Sequence, residues 1–106
     1  MNKSKFYKID MNYINEMAEK YAEMCEDFER TYTNAAEMDP EYLEYLQTDE
    51  AIEKRDQIYD DLEEYLVLCL RDYDGTPEEY DTQIREGLTP AAAPYVWDLL
   101  SYILGD

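Results

Sequence analysis

The side chains that perform covalent catalysis are few in this sequence, and none stands in a pattern that would activate it. The chain of 106 residues has two cysteines, Cys25 and Cys69, two serines, Ser4 and Ser101, and no histidine. A serine or cysteine nucleophile needs an adjacent base, which without histidine would have to be a lysine or a carboxylate. No sequence feature frames either serine, and both cysteines fall on apolar sides of predicted helices. We therefore expect no catalytic residues and a protein that is not an enzyme.

Acidic residues are abundant, so sites for hard cations need separate consideration. Residues 72–75, Asp-Tyr-Asp-Gly, match the middle of an EF-hand loop, in which acids stand at positions three and five and glycine at six. The match fails because Leu70 would be the first ligand and Pro77 would open a helix inside the loop. The end of a helix explains the same residues more simply. We expect neither a bound metal nor a cofactor.

The overall charge excludes two classes of ligand. The chain has 27 Asp and Glu against 9 Lys and Arg, which gives a formal net charge of −18. Such a charge repels nucleic-acid phosphates and anionic membrane surfaces, so we expect direct contact with neither. No apolar run is long enough to span a membrane, and two cysteines are too few for a disulfide scaffold. The sequence predicts a cytoplasmic protein, with residues 1–9 as a flexible basic N-terminus.

The elements that must position these acids are helices, because apolar residues recur every three or four positions. A long amphipathic helix of about twenty residues follows Asp10 or Asn12, and Asp39-Pro40 opens a short one. A second long amphipathic helix covers about 52–70. Thr48-Asp49 is either a kink or the cap of a separate helix, and the sequence leaves both possibilities open.

The C-terminal third has the clearest helix ends. Thr76-Pro77-Glu78-Glu79 is a capping box with proline at the first helical position, and Gly87 ends that helix. A last, strongly apolar helix begins near Ala93 and stops at Gly105. The chain therefore predicts one all-α domain, residues 1–106, folded as a compact bundle of four or five helices. We expect the C-terminal helix to be central and residues 66–70, which are apolar all round, to be the most buried stretch.

The acids are concentrated in one region of the chain. Residues 37–64 contain 12 acids and 2 bases, and residues 49–64 contain eight acids in sixteen positions. In a helix that segment is ~24 Å long, with an acid every ~3 Å of axis, while a DNA strand has a phosphate every ~3.4 Å. Like charges three or four residues apart destabilise a helix, which indicates a role in binding rather than in folding.

These features resemble a class of proteins, the small acidic DNA mimics of phages and mobile elements, which includes anti-CRISPR and antirestriction proteins. The resemblance rests on the composition of 37–64, on the acidic side of the first helix and on the many tyrosines. It implies stoichiometric inhibition, without catalysis, of a basic nucleic-acid-binding protein such as a CRISPR effector or a restriction enzyme. The alternative is an acidic helical adaptor or chaperone-like module that binds its partner through acids or through an apolar groove. A homodimer through Trp97 and nearby apolar residues is compatible with either.

The predicted partner-binding residues share negative charge or an aromatic ring near the acidic segments. They are Glu41, Glu44, Asp49, Glu50, Glu53, Asp56, Asp60, Asp61, Glu63 and Glu64 of the central region, Glu16, Glu19, Glu23, Glu26 and Asp27 of the first helix, and Tyr42, Tyr45 and Tyr59.

Overall fold

A computed structural model of the chain describes residues 9–105, and within that range the protein has five α-helices and no strand, which confirms the predicted all-α bundle. Apart from Ile9, the predicted flexible N-terminus of residues 1–9 lies outside the described residues, as does Ser4. The helices are α1 (Met11–Thr33), α2 (Pro40–Leu46), α3 (Asp49–Arg71), α4 (Pro77–Glu86) and α5 (Ala93–Leu104), with a 3₁₀ turn at Ala35–Glu37 between α1 and α2.

Local side-chain caps begin the helices where the sequence predicts them. The carboxylate of Asp10 accepts a hydrogen bond from the backbone N–H of Tyr13 at 3.1 Å and caps α1. The hydroxyl of Thr48 accepts one from Ala51 N–H at 3.3 Å, so the possibility left open is decided in favour of a separate helix, α3. Both bonds of the capping box at Thr76 are present, which confirms that prediction.

The main core lies where α1, α3, α4 and α5 meet. Its most extensive packing is between α1 and α3, and α5 packs on that pair and on α4. The largest fully buried side chain is Tyr80, whose hydroxyl donates a hydrogen bond to the backbone oxygen of Leu66 at 2.7 Å. The buried residues of this core are Ile14, Ala18, Leu62, Leu66, Cys69, Tyr80, Ile84, Ala92, Val96, Leu99 and Leu100.

A second, smaller core joins α2 to the bundle. Only Met24, Leu46 and Ala51 are buried in it, with Phe28 and Ile58 among the half-buried side chains around them. The C-terminal part of α1, all of α2 and the N-terminal part of α3 therefore share few buried side chains. The acids of residues 37–53 therefore lie on a part of the molecule that has a small apolar core.

The prediction that residues 66–70 form the most buried stretch is wrong for two of them. Leu66 and Cys69 are buried, but Val67 and Leu68 are 39% and 40% exposed. The reason is that the other helices cover only one side of α3, so residues about 100° round the helix from Leu66 and Cys69 face solvent. An apolar residue is buried only where a second element packs over it.

Candidate acidic interaction surface

The exposed side of α3 carries a continuous row of acids, which we name the α3 stripe. Its members lie three or four residues apart and are all exposed, on the side of the helix opposite the buried Ala51, Leu62 and Leu66. The α3 stripe consists of Asp49, Glu53, Asp56, Asp60 and Glu64.

The carboxylates of the α3 stripe are farther apart along the helix axis than the acids of residues 49–64 taken together. From Asp49 to Glu64 the axis rises about 22 Å, so the five carboxylates follow one another every ~6 Å, compared with ~3.4 Å for the phosphates of one DNA strand. Asp61 and Glu63 are half-buried beside the stripe, and Asp61 accepts a hydrogen bond from Gln57 Nε2 at 2.7 Å. The outward face of α3 therefore reaches a little over half the linear charge density of a strand.

The two bases of this segment do not neutralise the stripe. The guanidinium carbon of Arg55 lies 5.0 Å from the centre of the Phe28 ring, towards the second core. Its Nη2 reaches the Asp56 carboxylate at 3.2 Å. Lys54 follows Glu53 by one residue and so points about 100° away from it. Within residues 9–105, Asp56 is the stripe member that has a basic partner within 4 Å.

A second acidic row runs along α1, and we name it the α1 row. Glu16, Glu23 and Glu26 are exposed on the side of α1 opposite its buried residues. Glu19 is also exposed, but its carboxylate accepts a hydrogen bond from the Thr89 hydroxyl at 2.6 Å, which ties α1 to the segment before α5. The α1 row and the α3 stripe lie on two helices that pack against each other.

Asp27, the last predicted member of the α1 row, has a structural role. Its carboxylate is half-buried, lies 3.5 Å from Arg30 Nη1 and accepts a 2.7 Å hydrogen bond from the Tyr42 hydroxyl. Burial, followed by this hydrogen bond and the charge of Asp27, raises the pKa of Tyr42 to about 12. Asp27 therefore holds α2 against α1 and is poorly placed to contact a partner.

The remaining predicted residues divide between surface and core. Glu41, Glu44 and Glu50 are exposed on α2 and at the start of α3. Tyr45 is half-buried, packs against the second core and stacks on Tyr42 with ring centres 6.2 Å apart. Tyr59 is half-buried at the edge of the main core. Tyr42 is the most exposed of the three predicted tyrosines.

Several exposed apolar side chains were not among the predicted binding residues. Val67 follows Glu64 by three residues and continues the row of the α3 stripe, a relation that helical spacing alone could have shown. On α5, Trp97 is 45% and Tyr102 75% exposed, and the Arg85 guanidinium lies 5.7 Å from the Trp97 ring centre. No sequence signal separates these aromatic residues from the buried Tyr80.

Comparison of the chain with models of protein families, with curated proteins and with solved structures found no match. Within residues 9–105, no group of three or more acids or cysteines is arranged to hold a metal ion. None of the described helices combines the length and apolar character needed to cross a membrane. The functional argument therefore rests on the surface of the chain itself.

Proposed function

We propose that this protein is a non-catalytic inhibitor that occupies the nucleic-acid-binding groove of a basic enzyme in place of its nucleic acid. The observation that carries the proposal is the α3 stripe, in which five exposed carboxylates stand in register on one helix and Arg55 pairs with Asp56 alone while it lies over Phe28. A groove that binds nucleic-acid phosphates is lined with Lys and Arg. Its positive charges follow one another along the groove, as the carboxylates of the stripe follow one another along the α3 axis.

The electrostatics of the described chain support this kind of partner. Residues 9–105 contain 26 acids and six bases, and three of those bases are already paired with acids of their own surface. Opposite charges steer association and can raise the on-rate by ~10–10³-fold, an effect that falls as salt rises. The proposed targets are enzymes that defend or process DNA in the bacterial cytoplasm, such as a CRISPR effector or a restriction enzyme. Binding would involve no nucleic acid or membrane contact by this chain.

The test is displacement of labelled DNA or guide RNA from such enzymes by the purified protein, at low and at high salt. The decisive variant is Glu53→Gln/Asp60→Asn, which removes two stripe charges and conserves size. The matched control is Glu78→Gln/Glu86→Gln, which removes two exposed acids from the two ends of α4. We expect the stripe variant alone to weaken displacement, by about two- to thirtyfold for two surface charge contacts. Equal loss in both variants, or no competition with nucleic acid for any basic enzyme, would refute the proposal.

A second candidate function is an adaptor that binds a protein partner through α5. The exposure of Trp97 and Tyr102 favours it, since large aromatic residues are enriched at interfaces. In that case Trp97→Ala or Tyr102→Ala abolishes binding while Glu53→Gln/Asp60→Asn does not. Light scattering distinguishes a second copy of this chain from a different partner.

A further inference from the structure

Three tyrosines from three helices form one aromatic cluster beside the α3 stripe, and we name it the tyrosine cluster. Tyr21 of α1 lies 4.8 Å from Tyr59 of α3 and 5.3 Å from Tyr95 of α5, measured between ring centres. Tyr59 packs against the main core, and all three residues are half-buried. The cluster lies beside the stripe and not beyond its end, because Tyr59 stands between Asp56 and Asp60 in α3, about 100° round the helix from Asp60.

Carboxylates surround the tyrosine cluster. Glu63 stands four residues after Tyr59 and Asp98 three residues after Tyr95, positions that are neighbours on a helix surface. Burial raises the pKa of Tyr59, and the charges of Asp98 and Glu63 raise it further. Helical spacing thus places one acid of α3 and one acid of α5 beside rings of the cluster.

The α1 side of the cluster is acidic as well. Glu26 and Glu29 are exposed next to Cys25, which is one helical turn beyond Tyr21. Burial raises the pKa of Tyr95, and Cys25, Glu26 and Glu29 raise it further. The aromatic surface thus has negative groups on the sides formed by α1, α3 and α5.

Arg55, a base that acts on Tyr21, is already engaged elsewhere. The pKa of Tyr21 is raised to about 12, mainly by burial. The charge of Arg55 acts in the opposite direction and lowers this pKa. Its guanidinium nevertheless sits over Phe28 and bonds Asp56. The arrangement of Arg55 shows how a guanidinium is held on this surface, between an aromatic ring and a carboxylate.

We propose that the tyrosine cluster binds an arginine side chain of the basic partner. This inference rests on the proposed function in one respect: it requires that the partner is a basic protein. A planar guanidinium stacks on an aromatic ring and donates several hydrogen bonds at once, whereas a lysine ammonium is a compact, strongly hydrated charge. The rings of Tyr59 and Tyr95 together supply the stacking surface, so that both are required, and Glu63 and Asp98 supply the acceptors. The α3 stripe then contributes charge along the groove, and the tyrosine cluster selects arginine beside the stripe.

The experiment compares binding of a hexa-arginine and a hexa-lysine peptide to the whole protein, by calorimetry and by NMR of the tyrosine rings. We expect the arginine peptide to bind about two- to fivefold more tightly and to shift the ring signals of Tyr59 and Tyr95. Tyr95→Leu should abolish the preference, while Tyr59→Phe, which retains the ring at the edge of the core, should keep it. Tyr102→Leu, an exposed tyrosine of the same helix as Tyr95, is the matched control and should keep the preference.

The outcomes separate this inference from the proposed function. Equal affinity of the two peptides, or a preference that survives Tyr95→Leu, would overturn the arginine site even if the protein displaces nucleic acid from an enzyme. A preference that depends on Tyr95, found in a protein that displaces no nucleic acid, would support the arginine site and refute the mimicry. Loss of the preference in Tyr102→Leu would also overturn the site, because it would place the contact elsewhere on α5.

Discussion

Neutralising two members of the α3 stripe should stabilise the protein. Glu53 and Asp60 are exposed, lie beyond the first turn of α3 and have only acids and Gln57 at the helical spacings of three and four. Glu53→Gln/Asp60→Asn therefore removes repulsions and no attractive pair, and helix propensity changes little. The like-charge neighbours are Asp49, Glu50 and Asp56 for Glu53, and Asp56, Glu63 and Glu64 for Asp60.

The magnitude follows from the number of pairs. Each like-charge pair at these spacings destabilises a helix by ~0.2–0.5 kcal/mol, so removal of six pairs should raise the free energy of unfolding by about 1–3 kcal/mol at low salt. For a domain of this size that corresponds to a rise in Tm of roughly 5–15 °C. The paired carboxylates lie ~5–6 Å apart, and the Debye length falls from ~10 Å at 0.1 M salt to ~3 Å at 1 M, so most of the gain should vanish at high salt.

The assay is urea unfolding followed by circular dichroism, since urea carries no charge and leaves the screening unchanged. Glu78→Gln/Glu86→Gln is the control: it removes the same net charge, its two helix-dipole effects oppose one another, and Asp81 is the only acid in α4 at such a spacing from either residue. Its free energy of unfolding should change by less than about 0.5 kcal/mol. A stripe variant that gains nothing at low salt, or gains as much at 1 M salt, would show that the carboxylates do not repel one another as argued. If the stripe variant is more stable but displaces nucleic acid less well, its weaker displacement is not caused by a loss of folding stability.

Three further predictions concern single interactions. Thr76→Ala removes the N-cap of α4 and should cost ~1 kcal/mol of unfolding free energy in urea, whereas Thr76→Ser should cost little. Tyr80→Phe leaves the carbonyl of Leu66 without its side-chain donor in the main core and should cost about 0.5–1.5 kcal/mol by the same measurement; a neutral result would mean that the hydroxyl contributes nothing. The pKa values of Tyr21 and Tyr42 are raised to about 12, so ultraviolet titration of the folded protein should show two tyrosines ionising later than the rest. Because these folded values exceed the ordinary one near 10, the stability they contribute is complete below pH ~10 and is lost as pH rises towards 12, and Tyr42→Phe should reduce that loss.

Much of the fold is predictable because it depends on interactions within one helical turn. Asp10, Thr48 and Thr76 accept hydrogen bonds from backbone groups three residues away, so the residues that begin α1, α3 and α4 are readable from short segments. Gly105 ends α5 with a φ of 77°, a conformation that favours glycine. The exposed row of the α3 stripe follows from the same local spacing.

The placement of the two acidic rows is not local. Asp27 has the residue type and the register of the α1 row, but it is withdrawn from the surface by Tyr42, fifteen residues away in the chain. Whether an acid is free or bonded therefore depends on which distant helix packs beside it.

The sequence by itself determined the helical character of the chain, the start of α4, the end of α5 and the side of α3 on which acids accumulate, since each of these is encoded within a few neighbouring residues. Only the tertiary structure decided that Tyr80 is buried and Tyr102 exposed, that Val67 and Leu68 face solvent, and that Tyr21 meets two other rings. The physical reason is that apolar residues of one type have the same tendency to leave water everywhere in the chain. Which of them is buried depends on the helix that packs over it.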